Sequence, residues 1–299
     1  MKIGYIGLGE LGGHLAMSLI RAGHNLVVYD TTPTRAERHV AAGVMLAKSI
    51  GDLATEVDVV FTCLPSPAIS EKVLDEILPH ARTGVTWIEN STLGRDEILR
   101  LSAKAQAAGL KVLEAPVTGG VHLAARGEIT VLVGGDETLY NFHKPVLEKL
   151  GSRIFHMGPI GSAAVIKVIT NMLAFIHLVA DAEALMLAKR GGLDLAKSWA
   201  AITASSGTSF VHETEGQLIL NGSYDIGFTM DLALKDLGFA MKYGQDFGVP
   251  LDLATRTFET FKKGKAAYGG SAQSTQIAKL LEDALQTDLR ADGFPARLK

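Results

Sequence analysis

The chain has 299 residues, 47% hydrophobic and 20% charged, with a formal net charge of -3 at neutral pH. That length exceeds one ordinary hydrophobic core and implies two domains. The charge balance gives no footprint for nucleic acid or an anionic membrane surface, and the single cysteine, Cys63, excludes an internal disulfide and a thiolate metal site.

The amino terminus, MKIGYIGLGELGG, does not read as a signal peptide, because its apolar run is short and interrupted by glycine. It reads as a strand, KIGYI (2–6), running into a helical pattern, LGGHLAMSLIRAGH. Between them Gly7, Gly9 and Gly12 stand in G-x-G-x-x-G spacing, and the next strand, NLVVYD (25–30), ends on Asp30. The pattern alone is weak, but a strand before it, a helix after it and an acid closing the second strand make it a dinucleotide fingerprint. Gly7 permits the tight turn, Gly9 lets the backbone approach a pyrophosphate, and Gly12 packs helix against strand. The loop Gly7, Leu8, Gly9, Glu10, Leu11 and Gly12 then meets the phosphates with free N–H donors at a helix amino terminus. A carboxylate at Asp30 accepts hydrogen bonds from ribose hydroxyls and repels a 2′-phosphate, so NAD is expected over NADP, with Arg35 close enough to soften the preference.

Further strands follow at VDVVFTCL (57–64), where Cys63 reads as a core residue, at GVTWIEN (84–90) and at LKVLEA (110–115). The last leads into EAPVTGG (114–120), at the carboxyl edge where such sheets bind ligands. Thr118, Gly119 and Gly120 offer a hydroxyl and unshielded N–H groups suited to a carboxylate; a plain turn explains the same residues equally well. ITVLVGG (129–135) and RIFHM (153–157) complete the series, with helical patterns such as RDEILRLSAKAQAAG and ETLYNFHKPVLEKLG between strands. The alternation predicts an α/β fold, a Rossmann-type doubly wound and mainly parallel sheet over residues 1–160.

From 161 to 289 the pattern is nearly all helical, broken by glycines near 190–192, 221–222, 227 and 268–270, which predicts an all-α second domain over 161–299. Its opening run, GSAAVIKVITNMLAFIHLVADAEALMLA (161–188), has the apolarity of a membrane span but carries Lys167, Asn171, His177, Asp181 and Glu183. It reads as one helix of about 40 Å, buried in protein, in a cytoplasmic enzyme with no membrane or nucleic-acid partner. Its apolarity also points to a partner surface, hence a homodimer or homotetramer. Lys167 and Asn171 lie four apart on one face and could together hold one substrate hydroxyl, the lysine exchanging its proton and the amide orienting it. On the helix alone, a lysine that snorkels to solvent or pairs with an acid is the simpler reading. The tail LRADGFPARLK reads as loosely structured.

GYIGLGELG, EAPVTGG, G-x-x-x-x-x-K-x-x-x-N at 161–171 and F-x-x-x-L-x-x-K-D-L at 228–237 occur in that order. Together they resemble the β-hydroxyacid dehydrogenases, the group that includes 3-hydroxyisobutyrate dehydrogenase and tartronate semialdehyde reductase. The resemblance implies hydride transfer between NAD and a small 3-hydroxy acid or semialdehyde, with no metal. It places the catalytic lysine on Lys167, its partner on Asn171, and the substrate-carboxylate site on Thr118, Gly119 and Gly120. Leu64, Pro65 and Thr92 match cofactor contacts, and Lys235, with Asp236, falls near nicotinamide and substrate. Read without it, Thr92 is a possible helix cap and Lys235–Asp236 an exposed pair. The chain departs from the pattern at Ala163, often glycine, at Ile69, often asparagine, at Thr170, and at Phe210, where a polar aromatic is frequent. His122 and His212 are secondary candidates for substrate selectivity, each also readable as an ordinary histidine. Imine reductases share the two-domain plan, and some relatives are non-catalytic scaffolds, but both typically lack the lysine that Lys167 supplies.

Overall fold

The computed structural model describes residues 1–298. Among them the β-branched and aliphatic runs form β1 (Lys2–Ile6), β2 (Asn25–Tyr29), β3 (Met45–Leu46), β4 (Val59–Thr62), β5 (Thr86–Glu89), β6 (Lys111–Glu114), β7 (Val117–Thr118), β8 (Ile129–Gly135) and β9 (Gly151–Gly158). They make one sheet in the order β3-β2-β1-β4-β5-β6-β8-β7, with β9 paired to β8. β1 to β6 run parallel, β8 is antiparallel to β6 and β7, and β9 returns parallel to β8. The order reverses between β1 and β4, the point at which doubly wound sheets open a crevice for a ligand.

Strands in such a sheet are covered on both faces, so alternate residues enter different cores. Ile3 and Tyr5 of β1, Val59 and Phe61 of β4 and Leu113 of β6 pack on one side. Ile6, Val60 and Val112 pack on the other with Leu53, Leu74 and Trp87. The short β7 was not expected. EAPVTGG is more than a turn, because Val117 and Thr118 pair antiparallel with Val131 and Thr130.

The chain divides into two compact units, and the division falls at Lys167–Val168, inside the helix Ser162–Arg190. The second unit continues that helix and adds Leu195–Thr203, Phe210–Asn221, Met230–Asp246, Asp252–Tyr268 and Lys279–Leu285. Asp194, Ser209 and Thr229 cap three of these through their side chains. Phe175, Leu178, Leu185, Ile219, Leu237 and Phe261 form its core.

Two expectations change. The long helix is not enclosed all round: Ile169, Leu173 and Leu187, at near-helical spacing, are 37%, 45% and 76% exposed. Among the described residues its packing partners leave this face exposed. Residues 289–298 of the tail lack regular structure but are docked rather than loose, and residue 299 lies outside the described residues. Leu289 is fully buried, Arg290 pairs with Glu282 at 2.9 Å, and Phe294 meets the Trp199 ring edge-on.

His212 lies inside the second unit. Its Nδ1 bonds the buried Asp181 carboxylate and its Nε2 lies 3.0 Å from the Trp199 carbonyl oxygen. Both partners are acceptors, so both ring nitrogens donate and the ring is an imidazolium. Burial alone would lower its pKa, but the bonds to Asp181 and Trp199 outweigh it and hold the value above that of a free histidine. His212 therefore ties three helices together as part of a buried ion pair, a structural place rather than a substrate-facing one. Its contribution is complete below the ordinary histidine pKa of about 6.5 and is lost as pH rises through the higher folded value. Glu215, pushed up to about 8 by burial and by Asp181, adds a loss of the same sign. Stability to urea should fall as pH rises from neutral, less steeply in His212→Asn. His212→Ala should cost about 3–5 kcal/mol at neutral pH, because it strands the Asp181 carboxylate in the interior.

Candidate active site

β1 ends at Ile6, and Gly7 turns the chain with φ +95°, its N–H donating to the Tyr29 carbonyl at 2.9 Å. A side chain at Gly7 would collide with the Cys63 carbonyl oxygen, and one at Gly12 with the carbonyl oxygen of Gly7 itself. Gly9, the residue before the helix Glu10–Arg21, differs: the nearest atom to a Cβ there is Arg35 Nη1, at 4.0 Å. Two glycines thus allow the fold to close, while the third leaves its backbone bare toward open space. That is the division a pyrophosphate cradle requires, and a bound dinucleotide would rest on the N–H groups of this turn.

Asp30 is buried, and each oxygen already accepts a backbone N–H, from Leu8 at 2.7 Å and from Thr32 at 2.8 Å. Its remaining lone pairs suit ribose hydroxyls. A cleft of about 300 Å³ adjoins the turn, lined by Leu8, Gly9, His14, Thr34, Arg35 and Arg38, and Arg35 stands 3.8 Å from Asp30. Across the strand-order reversal, Leu64 follows β4, and its N–H donates to Ser91 Oγ at 2.7 Å; Ser91 in turn donates to Glu89. Burial pushes the Glu89 carboxyl up to about 7, although Ser91 pulls it down. Pro65 adjoins this strand end. The half-buried Thr92 is not a helix cap, since Gly94 holds that position. Ile69 is exposed at the first turn of the following helix.

Thr118 closes β7, and Gly119 and Gly120 follow with φ +125° and +87°, a region closed to most side chains. Gly119 is half-buried and Gly120 exposed. His122, on the next turn, is half-buried, and burial, with Arg126, lowers its pKa.

Lys167 is 7% exposed, in the second turn of the long helix. Ala163, where a ligand approach was expected to differ, is fully buried and turned inward. In the second unit Asp236 is 1% exposed, accepting from Asn171 Nδ2 at 2.6 Å and from Lys235 Nζ at 2.7 Å. The Lys235–Asp236 pair is therefore not a solvated surface pair. The aspartate is an interior anchor that orients both the amide of Asn171 and the ammonium of Lys235, which also lies over the Phe239 ring. The sequence reading missed Glu89, Ser91, Arg38 and Glu114. The available signal was that Glu89 and Glu114, side by side in register, end apolar strands with a charge.

A domain model described as the NAD binding domain of 6-phosphogluconate dehydrogenase matches residues 2–158. A second, described as NAD-binding of NADP-dependent 3-hydroxyisobutyrate dehydrogenase, matches residues 161–281. The chain is 30% identical to 2-(hydroxymethyl)glutarate dehydrogenase of Eubacterium barkeri over 94% of its own length and 95% of that protein's. It is 34% identical to the NAD-dependent L-serine dehydrogenase of Pseudomonas aeruginosa, over 82% and 85%. The structure of Mycobacterium tuberculosis 3-hydroxyisobutyrate dehydrogenase with L-serine superposes with a TM-score of 0.84 at 30% identity, covering 94% of this chain and 98% of that one. An imine reductase from Myxococcus stipitatus, at 16% identity and a TM-score of 0.62, shares the fold alone.

The glycines separate by experiment. Gly12→Ala should lose about 1–3 kcal/mol in urea denaturation, because the added methyl meets backbone. Gly9→Ala should unfold at the wild-type midpoint yet bind NADH about tenfold or more weakly by fluorescence titration, since its methyl projects where the pyrophosphate would lie.

Proposed function

Because the chain belongs to the β-hydroxyacid dehydrogenase family, and so is an NAD(P)-dependent oxidoreductase of CH–OH groups, we propose that it interconverts a small 3-hydroxy acid and its semialdehyde with Lys167 as acid and base. The observation that carries this reading is the burial of Lys167, in a G-x-x-x-x-x-K-x-x-x-N motif on the helix that follows the sheet. The relatives named above support the substrate class. L-Serine, 3-hydroxyisobutyrate and 2-(hydroxymethyl)glutarate each carry a hydroxyl on the carbon β to a carboxylate.

Thr118, Gly119 and Gly120 would hold the substrate carboxylate through a hydroxyl and backbone N–H groups, which fixes the carbinol carbon by its distance from that anchor. Bound NAD⁺ supplies the hydride acceptor. As the carbinol C–H pair departs as hydride, the O–H bond breaks, its proton passes to Lys167 Nζ, and C=O forms. In reduction Lys167 returns the proton to the nascent alkoxide. A free lysine, with a pKa of about 10.4, is a weak base in this setting at neutral pH, and loss of hydration favours its neutral form. Asn171, held by Asp236, would orient the same hydroxyl, and Lys235 would add positive charge for the substrate. The carboxylate of Asp30 supports NAD over NADP. The exposed stripe of Ile169, Leu173 and Leu187 supports a homodimer or homotetramer, in a cytoplasmic enzyme of small-molecule metabolism.

The test is a panel of short 3-hydroxy acids and semialdehydes, followed through nicotinamide absorbance with NAD(H) and NADP(H). At least one should turn over, with NAD(H) favoured. Lys167→Ala should lower kcat by about 10²–10⁴ while NADH affinity stays near wild type. Turnover near wild type in that variant would remove the lysine from the mechanism.

A further inference from the structure

Glu114 ends β6 with its side chain 2% exposed, and the chain then runs through Ala115 and Pro116 into β7 and Thr118. Its Oε1 accepts the N–H of Gly161 at 2.6 Å and of Ala163 at 2.9 Å, and its Oε2 accepts that of Ala164 at 3.0 Å. Ser162, the other donor of this turn, reaches the Pro159 carbonyl at 3.1 Å. Every leading N–H of the long helix is thus satisfied, and three of them by a carboxylate from the sheet rather than by a local cap.

The surroundings are shaped to this contact. Gly134 is the register partner of Glu114 on β8, and any side chain there would overlap Glu114 Oε1. Gly161 takes φ +97°, with Arg95 Cγ 3.2 Å from where its Cβ would stand. Burial pushes the Glu114 carboxyl up to about 7 while the three N–H groups pull it down, so these donors are what favour the charged form. Ala163 and Ala164 precede Lys167 by four and three residues, which puts all three on one side of the helix. All three are buried.

We propose that Glu114 is a positioning residue that fixes Lys167 relative to the Thr118–Gly119–Gly120 grip, because one strand end both clamps the first turn of the lysine's helix and continues into the grip. The proposal rests on the function assigned above to Lys167. Holding a reacting group to within a fraction of an ångström is worth large factors in rate, and a displacement of about 1 Å costs on the order of a hundredfold.

Glu114→Gln keeps the shape but turns an amide donor toward a backbone donor, and Glu114→Asp keeps the charge but shortens the reach. With 3-hydroxyisobutyrate and L-serine as probe substrates and NAD⁺, Glu114→Gln should lower kcat by about tenfold to a hundredfold. KM for NAD⁺ should stay within about threefold, and the D₂O isotope effect on kcat should rise as proton transfer becomes limiting. A folded variant with kcat within about twofold of wild type, or a loss with an unchanged isotope effect, as a smaller active fraction gives, overturns the proposal. If Glu114→Gln does not fold, Glu114→Asp carries the same test with the same outcomes. An arm independent of turnover follows reductive methylation of Lys167 against pH by mass spectrometry. Its course should differ between variant and wild type as the ammonium is displaced, and identical profiles overturn the proposal. If wild type turns over neither probe, the substrate reading fails on its own, and the methylation arm still decides the role of Glu114.

Discussion

An ammonium group withdrawn from water loses several kcal/mol of hydration unless something nearby compensates. This chain places Lys167 at 7% exposure, and several features of the first unit bear on the start of its helix. The sheet supplies Glu114 to cap the helix that carries it, β8 supplies a glycine so that the cap fits, and the same strand end runs on to Thr118. Removing solvent from a lysine and fixing its position are both met by packing between elements distant in sequence.

The second unit solves a related problem differently. Asp181 and His212 are both buried and cancel one another's charge, with the Trp199 carbonyl taking the second imidazolium proton. Asp236 shares its two oxygens between an amide and an ammonium. In both cases a donor from another helix, His212 for Asp181 and Asn171 for Asp236, helps a carboxylate to be tolerated inside.

Local signals were legible. Short β-branched runs gave the principal strands, glycine spacing gave the tight turn after β1, and spacing of four placed Lys167 and Asn171 on one helix. Non-local signals were not. Glu114 meets Gly161 across a separation of 47 residues, and the charge that ends its strand does not say which segment it will meet. β7 is two residues long and exists only through its pairing with β8. The tail seemed loose because Arg290 also donates to the Ile219 carbonyl, 71 residues away, and Lys235–Asp236 seemed solvated because the amide that meets Asp236 comes from another helix. The long helix was legible in part: its apolarity pointed to a partner surface but not to the side of Ile169, Leu173 and Leu187, which is the exposed one.

The way Asp30 is held bears on any attempt to redesign nucleotide choice. Its carboxylate staples the glycine turn to the end of β2 through the amides of Leu8 and Thr32. Exchanging it for a neutral or basic residue would therefore loosen the very turn that both nucleotides need. Thr34, Arg35 and Arg38 line the same cleft, and since Arg35 lies 3.8 Å from Asp30, a retooling that spares the staple would begin at Thr34 or Arg38.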